Sequence, residues 1–81
     1  MKWSINEYNK WLQDGAPINE YITDLDISNS DIKSILEINN LSMLKTLNCS
    51  DNQIINIECI KLSMLKVLIC HDNRIIDIQD I

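Results

Sequence analysis

Along this chain the large aliphatics keep a rhythm that changes at fixed points. Leu25 and Ile27, Leu47 and Cys49, and Leu68 and Cys70 stand two residues apart among mostly polar neighbours, the period of a strand with one buried face. After each pair the spacing becomes three, through Ile32, Ile35 and Ile38, then Ile54, Ile57 and Ile60, then Ile75, Ile78 and Ile81. A step of three suits a return path of tight turns or 3₁₀-like segments that brings every third side chain inward. The pattern predicts three short strands, each followed by a return. Ahead of them, Ser4 and Glu7 fit a capping box, with Trp3 placed to staple against Tyr8. Ile5, Tyr8, Trp11 and Leu12 fall on one helical face, and Gly15 followed by Pro17 supplies a stop, so a helix is expected over about 4–13.

The rhythm is a repeat. Residues 44–57, LKTLNCSDNQIINI, recur 21 positions later as LKVLICHDNRIIDI. A weaker copy lies upstream, where Ile22, Leu25, Ile27, Ser30, Ile32 and Ile35 correspond to Leu44, Leu47, Cys49, Asn52, Ile54 and Ile57. Asn52 and Asn73 fall where the chain leaves each strand, and an inward carboxamide there satisfies backbone groups that are costly to bury unpaired. Ser30 holds that place in the first copy. The expected architecture is an α/β solenoid in one domain. A cap helix and connector occupy 1–21, followed by repeats at 22–43, 44–64 and 65–81, with parallel strands joined by 3₁₀ or irregular returns.

The motif L-x-x-L-x-L-x-x-N-x-I-x-x-I-x-x-I resembles the leucine-rich repeat of the 22-residue class over residues 22–81, about three quarters of the chain. Cys49 and Cys70 depart from the usual strand aliphatic. The opening, with Tyr8 to Gly15 and Pro17 to Glu20, also resembles the start of short leucine-rich-repeat proteins in amoeba-infecting giant viruses, which implies expression in a host cytoplasm. Leucine-rich repeats bind protein partners on the open sheet face. The resemblance therefore implies a noncatalytic protein-interaction module whose contact residues are those alternating with the core: Asp24, Asp26 and Ser28; Thr46, Asn48 and Ser50; Val67, Ile69 and His71. Val67 and Ile69 are apolar where the other two strands are polar.

Residues 65–81 have no successor repeat to cover them, so Leu68, Ile75, Ile78 and Ile81 are expected to remain partly in water. Leaving several large aliphatics half-exposed forgoes on the order of 5 kcal/mol, within reach of the roughly 4–15 kcal/mol that association costs. A homodimer through this C-terminal repeat is the expected assembly, and a chain that is chiefly a self-assembling structural unit is the alternative function. A shortened coding sequence would leave the same open end.

Charge and candidate chemistry narrow the partners further. With 12 acids against 7 bases and a net charge of −5, the chain lacks the clustered basic surface that nucleic acid requires. No apolar run approaches the roughly 20 residues that span a bilayer, and the start lacks a leader's apolar core, so a cytoplasmic protein is expected. Three cysteines without a C-x-x-C pattern read as reduced thiols, with Cys49 and Cys70 stacked inward as small hydrophobes rather than metal ligands, and Cys59 more exposed. Ser50, His71, Asp51 and Asp72 include the residue types of a hydrolase triad, but a flat sheet offers neither an oxyanion hole nor a means of excluding water. No enzyme activity, cofactor or metal is expected.

Overall fold

A computed structural model describes residues 1–57 and 61–75. Helix α1 spans Ile5–Gln13, and three strands follow: β1 at Asp24–Asp26, β2 at Thr46–Asn48 and β3 at Val67–Ile69. A 3₁₀ segment, Leu36–Asn40, lies in the return between β1 and β2. The strands form one parallel sheet in chain order, β1-β2-β3. Its register sets Leu25 beside Leu47 and Leu47 beside Leu68, so positions equivalent in the sequence repeat are neighbours in space. Among the described residues no helix is long and apolar enough to cross a membrane.

Helix α1 begins as its sequence dictates. The Ser4 hydroxyl accepts from the Glu7 N–H and the Glu7 carboxylate accepts from the Ser4 N–H, so two orphan donors at the helix start are closed. Gly15, at φ 94°, ends it in a conformation open to glycine. Tyr8 and Trp11 are buried, and each is tied to a backbone carbonyl beyond the helix: Tyr8 Oη donates to that of Ser34 at 2.9 Å, and Trp11 Nε1 donates to that of Pro17 at 3.1 Å. Trp3 packs on Trp11, ring centroids 5.6 Å apart. The cause is the path of residues 1–3, which run alongside β1 and form a parallel bridge between Lys2 and Asp26. Ile5, expected on the buried stripe, is 36% exposed.

The core follows the two-then-three rhythm. Leu25, Ile27, Ile35, Ile38, Leu41, Leu44, Leu47, Cys49 and Ile54 are fully buried, with Tyr8, Trp11, Ile22 and Ile32 around them. Leu65, Leu68 and Cys70, the third-strand counterparts of Leu44, Leu47 and Cys49, are only half-buried. The sheet explains this asymmetry, because β2 is flanked on both sides while β3 has a partner on one side among the described residues.

At each strand exit the chain must bend sharply. Asn29, Asp51 and Asp72, at equivalent positions, take φ of 54°, 56° and 57°, a left-handed conformation that Asn and Asp tolerate better than other non-glycine residues. Beside the bend, the buried Asn52 carboxamide accepts from the Ser30 and Ile32 N–H groups at 2.9 and 3.0 Å. Its amide nitrogen donates to the Ile27, Cys49 and Ser50 carbonyls at 3.0, 3.0 and 3.1 Å. Asn73 does the same one unit later, donating to Cys49 and Cys70 carbonyls and accepting from the Ile54 N–H. Ser30 closes only locally, onto the Ser28 carbonyl.

Replacing Asn52 by Ala strands several buried backbone groups at once, at roughly 1–3 kcal/mol for each group left unsatisfied. Urea unfolding of Asn52→Ala is expected to show a loss of about 3 kcal/mol or more, and of Asn73→Ala about half as much because water reaches the third unit. Equal losses would contradict the burial gradient along the sheet.

Candidate functional site

The outward positions of the three strands form a grid across the sheet. Asp24, Thr46 and Val67 lie in one row, and Asp26, Asn48 and Ile69 in the next. Ser28, Ser50 and His71 stand beyond them at the strand exits. The structure brings these residues together but gives them unequal freedom.

The β1 end of the grid is occupied by the chain's own first residues. The Trp3 N–H donates to the Asp26 carbonyl, and the Asp26 N–H donates to the Met1 carbonyl. The Met1 ammonium lies 2.7 Å from the Asp24 carboxylate, and Lys2 Nζ reaches the Asp26 carboxylate, the Ser28 hydroxyl and the Ser28 carbonyl at 3.3, 3.2 and 3.1 Å. Nothing in the sequence marked residues 1–3 as an edge segment, because a run this short shows no strand period.

Asp26 and Asn48 also carry a structural task. The Asp26 carboxylate accepts from the Ser28 N–H at 2.9 Å, and the Asn48 carboxamide accepts from the Ser50 N–H at 3.1 Å. Each turns the chain out of its strand by the Asx closure that suits Asp and Asn to bends. The Asn48 oxygen also takes the Ser50 hydroxyl at 2.7 Å. Ser50 is drawn in beneath the bend and is 3% exposed, which corrects its expected place on the open face. In the third strand Ile69 holds this position and has no acceptor to offer.

The β2–β3 end stays open. Thr46 and Asn48 are half-exposed, Val67 is 46% exposed, Ile69 36%, and His71 is exposed beside them. Of the residues expected at an end-to-end contact, Leu68 and Ile75 are half-buried, while Ile78 and Ile81 lie outside the described residues, as does Cys59.

His71 Nδ1 meets the Asp72 carboxylate at 2.8 Å, an exposed pair, while the Ser50 hydroxyl is committed to Asn48. The residue types of the triad are therefore near one another without the serine-to-imidazole bond that activates a nucleophile. Asp51, His71 and Asp72 do place three potential metal-ligating atoms within 4.8 Å of one another. All three side chains are exposed, and the two aspartates have a sufficient reason to be there in the left-handed bend.

Asp26 and Cys49 have shifted acidities. The Ser28 hydroxyl and N–H, with the Lys2 ammonium beside them, hold the Asp26 carboxyl below its ordinary value. Burial, with Cys70 adding a smaller effect, pushes the Cys49 thiol up to about 12, consistent with Cys49 as an inert core residue. The chain matches no family model, no curated protein and no solved structure.

Because folding favours ionised Asp26, its contribution to stability is present above the unfolded carboxyl's pKa and disappears as pH falls through the lower folded value. Asp26→Ala is therefore expected to lose less stability than the parent on acidification from pH 5 toward 3, in parallel urea titrations. Thiol alkylation at pH 8 gives a second check: Cys70 should react in the folded chain, and Cys49 only after denaturant is added. Labelling of native Cys49 at the rate of an unfolded thiol would contradict its burial.

Proposed function

We propose that this chain is a noncatalytic protein-interaction module, a short solenoid of the leucine-rich-repeat kind, acting in the cytoplasm and contacting its partner through Thr46, Val67, Ile69 and His71. The observation that carries the reading is the pair Val67 and Ile69, 46% and 36% exposed on the sheet face, where the equivalent residues of the other strands are polar. Asp24, Asp26 and Ser28 are engaged by residues 1–3, and Asn48 and Ser50 by their own turn. Contact thus concentrates at one end of the nine-residue face. Buried, well-packed apolar and aromatic anchors dominate such contacts, with polar neighbours supplying complementarity.

A second reading rests on a different observation. Leu65, Leu68 and Cys70 are half-buried where Leu44, Leu47 and Cys49 are fully buried, and β3 has an unpaired edge among the described residues. Pairing with a second copy of the chain would cover both, by adding a strand to a sheet edge that proteins otherwise protect.

Light scattering over a hundredfold dilution separates the two readings when run on the parent and on Ile75→Glu, which alters the C-terminal repeat and leaves the sheet face intact. A concentration-dependent dimer, abolished by Ile75→Glu, supports the second reading. A folded monomer throughout removes the homodimer. Photo-crosslinkers placed at 67 and 69, with position 24 as the control, then test the first. Adducts with one discrete protein from 67 and 69 but not from 24 are expected, and equal adducts from all three would overturn the proposed location.

A further inference from the structure

Away from the sheet face, a groove of ≈ 440 Å³ runs between α1 and the return after β1. Ile5 and Leu12 supply an apolar wall; Asn9, Ser34, Lys33 and Glu37 line the polar side. Two observations there have no structural account. Ile5 belongs to the helix's apolar stripe yet is 36% exposed. Glu37 Oε2 is shut from water and accepts no hydrogen bond from the described residues, although buried carboxylate oxygens normally have a donor.

Neighbouring groups do not supply that donor. The Tyr8 hydroxyl donates to the Ser34 carbonyl, and Lys33, on the same groove, makes no bond to Glu37 Oε2. Asp31, the groove's other acid, is engaged by Gln53 at 3.3 Å. The groove is therefore lined by a glutamate with one unsatisfied, water-shielded oxygen, beside an apolar wall of the exposed Ile5 and the half-buried Leu12. A glutamate's terminal torsion is broad, so a small rotation turns the carboxylate toward an incoming donor.

We infer that this groove takes a primary ammonium on an aliphatic stem, a lysine side chain of another polypeptide, with Glu37 accepting the ammonium and Ile5 and Leu12 covering the stem. A lysine brings a single cation to Glu37, whereas the further cations of a polyamine would meet Lys33 as well as the exposed Asp31. The inference stands apart from the sheet-face reading, since none of Thr46, Val67, Ile69 or His71 lines the groove.

The test is a titration of the ¹⁵N-labelled chain with Nα-acetyl-lysine N-methylamide, its norleucine analogue, and spermidine. Saturable shifts at Asn9, Leu12, Ser34 and Glu37 are expected with the lysine compound, with a dissociation constant on the order of 1 mM for a ligand this small. Glu37→Gln should weaken binding about tenfold, as loss of a charge-assisted bond requires. Asn9→Lys, at an exposed helix position, should block it by planting an ammonium at the groove, and it tests the idea even if Glu37→Gln fails to fold. Equal shifts from norleucine, tighter binding of spermidine, unchanged affinity in Asn9→Lys, or no shifts at all would each overturn the assignment.

Discussion

Everything in this structure depends on satisfying the backbone where each strand ends. A parallel arrangement of three-residue strands leaves the chain turning inward beside a dry core, and the turn exposes carbonyl and N–H groups to a place without water. The Asn52 carboxamide answers by bonding to five of them, drawn from both its own unit and the preceding one. Because those bonds cross between units, they also set the spacing that lets Leu25, Leu47 and Leu68 meet in register. Packing alone would not choose that register, since apolar contacts carry little direction.

The elements that the sequence made legible are those with a strict period or a local hydrogen-bonding signature. The i, i+2 pairs located all three strands, Ser4 and Glu7 located the start of α1, and Asn52 and Asn73 announced their role by type and position. The features that escaped are long-range. That residues 1–3 lie along β1, that Trp3 therefore meets Trp11, and that Ser50 is drawn inward by Asn48 are consequences of which segments become neighbours. The candidate face was legible as nine alternating positions, but alternation says only which way a side chain leaves the strand. It does not say whether that side chain is already bonded, and Asp24, Asp26, Asn48 and Ser50 are.

The electrostatics divide the sheet in the same way. The chain's net charge of −5 is dispersed, yet opposite charges gather at the β1 end, around Asp24, Asp26, the Met1 ammonium and Lys2. These are exposed pairs, which contribute little to stability individually. Their effect is mainly to fill the sheet edge and one third of the outward face with hydrated groups. An edge that is bridged and charged is a poor template for further pairing. The polarity of the face thus changes along the sheet, from ionic at β1, through hydroxyl and amide at β2, to branched aliphatic at β3.

Ile69 combines a lost turn closure with added apolar exposure. In the first two units its position holds Asp26 and Asn48, and each uses a side-chain oxygen to close the bend onto Ser28 or Ser50. An isoleucine forfeits that closure and places apolar surface outside the core, and both effects disfavour the isolated chain. A covering partner would reverse the second by removing Val67 and Ile69 from water together. The isoleucine is thus costly in the free chain, a cost that a covering partner would offset, which is why the proposed contact is placed at this end of the sheet rather than spread over all nine outward positions.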